Sequence, residues 1–208
     1  MQKSKLSITL LVLILLAGPT AQAQYSENDS TYKKCFIGST AFVLGNFAKV
    51  NKPDFAQLNL GYRITEKDVV SIELKTWKYA WPLGISPFSS DFETPAEEFP
   101  GYIREKGFAL AYQRYLHKGL YAAVHVMNAW QTFADENGNK VDNGFQIFNT
   151  YRLGYHLKLF KNIFFIEPSI AVTHRPYFTT MPAGFTTQDN KWKTYLVGEP
   201  GLHFGFNF

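Results

Sequence analysis

The sequence predicts an all-β protein, an eight-stranded antiparallel up-and-down transmembrane β-barrel. Three observations carry that prediction. The C-terminus alternates strictly between large apolar and small or polar residues. The same period of two recurs along the rest of the chain. The connections between these runs are alternately short and long.

Taken in chain order, Cys35–Leu44 is the least regular run; Phe36, Phe42 and Leu44 share a face with Gly38 and Thr40. Leu58, Leu60, Tyr62 and Ile64 then oppose Gln57, Asn59, Gly61 and Arg63. Val70, Ile72 and Leu74 oppose Ser71, Glu73 and Lys75. Phe108, Leu110 and Tyr112 oppose Ala109, Ala111 and Gln113. Leu120, Ala122, Val124, Val126 and Trp130 oppose Tyr121, Ala123, His125 and Gln131. One long run, Phe145–Leu159, sets Ile147, Tyr151, Leu153, Tyr155 and Leu157 against Gln146, Thr150, Arg152, Gly154, His156 and Lys158. Phe164, Ile166, Ile170 and Val172 oppose Phe165, Glu167, Ser169, Ala171, Thr173 and Arg175. Leu202, Phe204, Phe206 and Phe208 close the chain against Gly201, His203, Gly205 and Asn207. Side chains of a strand point alternately to its two faces, so each run reads as a strand with one apolar face. Most reach the roughly 9–11 residues of a tilted membrane strand.

The connections Thr65-Glu66-Lys67, His117-Lys118-Gly119 and Lys161-Asn162 are tight. Gly45–Pro53, Lys78–Lys106, Ala134–Asn143 and Tyr177–Lys191 are long. Short periplasmic turns alternating with longer outer loops are the pattern of outer-membrane barrels. Glu167-Pro168 and Glu199-Pro200 each place a proline inside a strand, where it cannot donate to the ladder; a bulge or kink is expected at each.

The N-terminus reads as a secretory signal. Lys3 and Lys5 precede an apolar run from Ile8 to Ala17, then Gly18-Pro19 and Ala21-Gln22-Ala23. We expect residues 1–23 to be removed, 24–34 to form a periplasmic N-terminal segment and 35–208 to form the barrel. No later run of 18 apolar residues offers a transmembrane helix, so an exported chain of this kind crosses lipid only as a closed barrel. The expected location is the bacterial outer membrane. Without the two signal lysines, 19 basic and 17 acidic side chains remain, scattered along the chain. That distribution excludes a nucleic-acid footprint. The single cysteine, Cys35, excludes an internal disulfide.

The sequence resembles the small outer-membrane β-barrel proteins of OmpA/OmpX-like architecture found in Bacteroidetes. The likeness lies in Lys75-Thr76-Trp77-Lys78-Tyr79 with Pro82-Leu83-Gly84-Ile85, in Pro100-Gly101-Tyr102-Ile103-Arg104-Glu105, in Ala111-Tyr112-Gln113-Arg114 and in Gly144-Phe145-Gln146-Ile147-Phe148. It continues in Phe165-Ile166-Glu167-Pro168-Ser169, in Glu199-Pro200-Gly201-Leu202 and in the closing Phe204-Gly205-Phe206-Asn207-Phe208. The resemblance implies fold and location and assigns no activity or catalytic residue. It also implies that the terminal Phe208 is read by the barrel assembly machinery.

The polar inward positions are Arg63, Glu73, Lys75, His125, Arg152, His156, Glu167, Arg175, Glu199 and His203. Eight strands enclose just enough room for side chains, so the expected role of these groups is a packed polar network in the lumen rather than a pore. The leading function is a structural or surface-interaction role through the outer loops. A lipid-modifying enzyme and a narrow channel are the alternatives. An enzyme of the first kind needs a histidine within reach of a nucleophile. No His-x-Ser exists here; a pair across strands, such as His125 with Ser71 or Ser169, stays open. No catalytic, cofactor or metal residues are assigned and no cofactor is expected. Asp135-Glu136-Asn137-Gly138-Asn139 begins like a calcium loop, but Lys140 and Gln146 occupy its two diagnostic positions. The loop 78–106 carries Trp81, Phe88, Phe92 and Phe99 and an acidic middle from Asp91 to Glu98. It is the first candidate for an extracellular ligand, cationic or sugar-like. Outer-membrane lipid is the other expected partner.

Overall fold

The structure, a computed structural model, describes residues 32–49 and 52–208. The expected signal segment and most of the expected N-terminal segment lie outside the described residues. The elements are β1 (Cys35–Thr40), a 3-10 turn (Ala41–Phe47), β2 (Ala56–Arg63), β3 (Asp68–Tyr79), β4 (Tyr102–His117), β5 (Leu120–Ala134), β6 (Lys140–Tyr155), β7 (Leu157–Leu159), β8 (Phe164–Phe178), the helix α1 (Ala183–Asp189) and β9 (Tyr195–Asn207).

Apart from β6 and β7, each strand pairs antiparallel with the next in sequence. β1 pairs with β2 on one side (Gly38↔Asn59) and with β9 on the other (Gly38↔Gly205), so the sheet closes on itself. β7 continues β6 along β8, and the ring therefore has eight staves. Closure removes every sheet edge. Among the described residues no helix is long and apolar enough to cross a membrane.

The alternation of the sequence becomes an inside and an outside. Leu58, Leu60, Val70, Ile72, Leu74, Leu110, Val126, Leu153, Ile170 and Leu202 are exposed on the outer wall. Asn59, Arg63, Glu105, Gln131, Gln146, Thr150, Glu167 and Thr173 are buried within. This polarity is the reverse of a water-soluble barrel. Two lumen glycines admit rings across the interior. A Cβ at Gly61 would lie 1.9 Å from the Phe36 ring, and one at Gly154 would lie 2.4 Å from that of Tyr121.

Several boundaries differ from expectation. The run Phe145–Leu159 is not one strand: it begins earlier, at Lys140, and breaks at His156. β3 runs on to Tyr79 and β4 starts at Tyr102, so the long loop spans 80–101 rather than 78–106. The connection 134–143 shrinks to a turn, 135–139. The 179–194 connection contains α1. β1 stops at Thr40 and its continuation coils into the 3-10 turn, where Thr40 Oγ1 accepts from Phe42 N. Of the two expected bulges only one forms. Ala171↔Glu199 is followed by Val172↔Val197, leaving Gly198 unpaired at φ +84°, next to Glu199-Pro200. Pro168 faces Leu202 in unbroken register.

Candidate functional site

Three layers fill the barrel. At the end carrying the long loops, α1 turns Phe185 onto Phe99, Ile103, Phe133 and Met181. The Phe185 ring centroid is 5.2 Å from that of Phe99 and 5.1 Å from that of Phe133. Two buried polar ties hold this cap. Arg175, from β8, forms an ion pair with Asp189 at the end of α1, their side chains 5% and 6% exposed. Glu97, from the other long loop, accepts from Gln188 Nε2 (3.0 Å) and from Trp192 Nε1 (2.8 Å). At the opposite end Val69, Tyr115, Tyr121 and Ala123 cluster, with Tyr32 and Phe36 packed on them. There Arg63 donates to Lys33 O and to Asn207 Oδ1, both at 2.9 Å. Asn207 donates in turn to Asn162.

Between the caps lies the polar layer. His125 Nδ1 is 2.9 Å from Glu73 Oε1, and His156 Nδ1 is 2.6 Å from Glu167 Oε1. Arg152 donates to Ser169 Oγ (2.8 Å) and lies 3.9 Å from Glu199. Thr173 Oγ1 donates to Glu199 (2.5 Å). Lys75 Nζ sits 4.6 Å from the Phe148 ring centroid and 5.4 Å from that of Trp77. His203 lines the same void as Glu73, His125, Arg152 and Glu167. That void holds about 30 Å³, room for about one water.

The sequence reading missed the centre of a second network. Glu105 is fully buried. It accepts from Trp77 Nε1 (2.9 Å), Tyr79 OH (3.3 Å) and Gln146 Nε2 (2.5 Å), and Gln131 Nε2 donates to Tyr79 OH (2.8 Å). The carboxylate thus collects three donors from two strands, β3 and β6, which is what a buried charge needs. Glu105 falls within the expected connection 78–106 because its outward neighbours, Arg104 and Lys106, are as polar as it is. The parity of Ala109 and Ala111, extended four residues upstream, points to it.

Among the described residues no hydrogen bond joins His125 to Ser71 or to Ser169. Ser169 Oγ is engaged by Arg152 and by Gly201 O, and His125 Nε2 is buried without a hydrogen-bond partner. Among the described residues no cluster of His, Cys, Asp and Glu is placed to hold a metal ion. Asp135 caps its own turn: Oδ1 accepts from the amides of Asn137 (2.9 Å) and Asn139 (2.8 Å), Oδ2 from Asn139 Nδ2 (3.0 Å). These bonds, the Asn139 side chain first, hold its carboxyl below the usual aspartate range. Outside the cap, a cleft of about 270 Å³ opens beside the 80–101 loop, lined among others by Lys78, Trp81, Glu98, Tyr102 and Glu136.

No protein-family model matches the chain, and no curated protein matches it. Among solved structures, that of CarO from Acinetobacter baumannii is similar at 11% identity and a TM-score of 0.42, over 88% of this chain and all of that one. The fold rests on the closed ring of strands itself.

Proposed function

We propose that the chain is an outer-membrane barrel whose lumen is a packed core and whose role is structural or in surface interaction through its outer loops. The observation that carries this reading is the outer wall. Between the charged Lys106 and Arg114 the outward residues of β4 are Phe108, Leu110 and Tyr112. Eight residues at about 3.3 Å each cover about 26 Å of strand, or about 20 Å along the axis at a tilt of about 40°. That span fits the apolar band of about 25 Å in outer-membrane barrels, with charged side chains at its borders. Aromatic rows border it. Phe108, Trp130, Phe145 and Tyr177 form a chain of ring contacts of 5.5–6.2 Å towards the loop end. Phe164 and Phe206 (5.1 Å) lie at the turn end.

The lumen supports a non-conducting barrel: both mouths are packed and the middle has room for about one water. Its histidines support structure over catalysis, since both His–Glu pairs lie between the two caps. Surface binding then falls to the loop end, where the cleft beside 80–101 is the place for an extracellular ligand. The predominantly apolar outer wall suits outer-membrane lipid, and the exposed Phe208 suits recognition by the assembly machinery. The test is direct. Folded protein in detergent should migrate differently before and after boiling, and in planar bilayers it should give no steady conductance. Protein that is soluble without detergent overturns the membrane reading; stable channels overturn the packed-core reading. Deleting 86–99 should abolish surface binding with the barrel intact, and unchanged binding removes the loop from the proposal.

A further inference from the structure

The outer wall is not uniformly apolar. On β1–β3 the outward residues between the two ends are Ile37, Leu58, Leu60, Val70, Ile72 and Leu74. On β5, β6 and β8 the corresponding surface carries Asn128, Asn149, Tyr151 and His174. The register makes them neighbours. Asn149 faces Val126 on β5 and His174 on β8, and Asn128 lies diagonally beside it, opposite Ile147. Asn149 is four residues from Phe145 in the loop-end aromatic row and six from Tyr155. At about 3.3 Å per residue and a tilt of about 40°, it lies about 10 Å inside that row.

Polar side chains at this depth face hydrocarbon, which offers no hydrogen bond. The chain itself satisfies them poorly. Asn149 Nδ2 donates to Tyr151 OH at 3.4 Å, while Asn149 Oδ1 is covered and receives no donor. No side-chain hydrogen bond is made by Asn128 or His174 among the described residues. We propose that this patch is the contact between two copies of the chain, packed wall to wall in the membrane. Asn128 carries donors and an acceptor, Asn149 its amide donors, and the histidine ring one of each when neutral. A two-fold axis through the patch therefore sets donors against acceptors with no other chemistry required, as an isologous interface does. Lipid esters and phosphates sit at the level of the aromatic row, too shallow to serve. Interfacial polar side chains are a known means of joining membrane segments.

This inference rests on the membrane reading above, and one experiment separates the two. In a Cys35→Ser background, Val126→Cys at the centre of the patch and Leu60→Cys on the opposite wall are compared in outer-membrane fractions with a short bis-maleimide. Val126 is 39% exposed and Leu60 42%, so both thiols are available. Val126→Cys should give a product of twice the monomer mass; Leu60→Cys should not. Adding Asn149→Leu and His174→Leu should cut that product at least tenfold while the protein stays heat-modifiable in detergent gels. Equal cross-linking of the two cysteines, no cross-linking of either, or a product with a different protein only, each overturns the second copy as occupant. Protein absent from the membrane fraction overturns the membrane reading instead.

Discussion

Nδ1 of His156 lies 2.6 Å from Oε1 of Glu167, and the two side chains are 1% and 11% exposed. The pair depends on the break in the wall. His156 interrupts the ladder between β6 and β7, and its amide donates instead to Gly119 O (2.8 Å). Its ring stacks on Phe165 at 5.1 Å and meets Tyr115 edge-on at 5.6 Å. Removing the ring leaves the buried Glu167 carboxylate with only the long bond from Gln113 Nε2 (3.3 Å) among the described side chains, and breaking a buried charged pair costs about 3–5 kcal/mol. His156→Ala should therefore lower stability against urea in lipid vesicles by about 3 kcal/mol or more. A loss under about 1 kcal/mol would mean that solvent reaches Glu167 after all.

Glu105 makes a sharper prediction. Glu105→Gln keeps the shape but turns an –NH₂ towards a site built from donors. Donor meeting donor in a dry site costs about 1–3 kcal/mol. Trp77 reports the change, because its indole N–H donates to the carboxylate. Tryptophan emission should shift and unfolding should move to lower urea. Glu105→Gln with unchanged emission and midpoint would sink the claim that this carboxylate organises the network.

How far the sequence reaches is visible in these two sites. Glu167 and His156 lie where the outward partners are strongly apolar, Ile166 and Tyr155, so contrast across the strand assigns their faces. Glu105 lies where the wall leaves the hydrocarbon and its outward neighbours turn basic. The contrast that reveals a strand vanishes there, which hides two residues of β3, five of β4 and four of β6 from a reading by alternation. The break at His156 escaped for a different reason: alternation keeps its parity on both sides. α1 left no trace because seven residues hold barely two helical turns, too few for a periodic apolar face. Arg175 was recognised as inward, but its partner Asp189 belongs to a loop fold that no local pattern encodes.

The 160–163 turn holds stored strain. Phe160, Lys161 and Asn162 have φ of 50°, 55° and 63°, three consecutive non-glycine residues in the left-handed region. Each costs about 1 kcal/mol relative to glycine. Asn162 is buried and accepts twice from Asn207 Nδ2, which fastens β9 to the turn. Lys161 is exposed and makes no such contact. Lys161→Gly should raise stability by about 1 kcal/mol, whereas Asn162→Gly should lower it despite relieving the same strain. If both glycines act alike, the side-chain bond from Asn207 Nδ2 to Asn162 Oδ1 contributes nothing.

The cap at the loop end can be tested apart from the barrel. Asp189 is the only charged residue of α1, and its carboxylate meets Arg175 inside the mouth. Asp189→Ala leaves the Arg175 guanidinium buried without a carboxylate, although its stacking over the Phe178 ring (4.2 Å) remains. The helix has no side-chain cap at its N-terminus, and isolated helices of this length are unstable in water. Once this tie is cut, 179–194 keeps the Glu97 bonds to Gln188 and Trp192 and the packing of Phe185 and Met181, and loses its anchor to β8 at the mouth. Protease added from outside should then cleave within 179–194 in the variant and spare the wild type. The barrel should stay heat-modifiable, because β8 and β9 pair with each other from Phe164↔Phe206 to His174↔Tyr195 without the loop's help. Equal resistance of variant and wild type would place the hold in the Glu97 bonds and the aromatic cluster, and Phe185→Ala combined with Glu97→Ala would then release the cap.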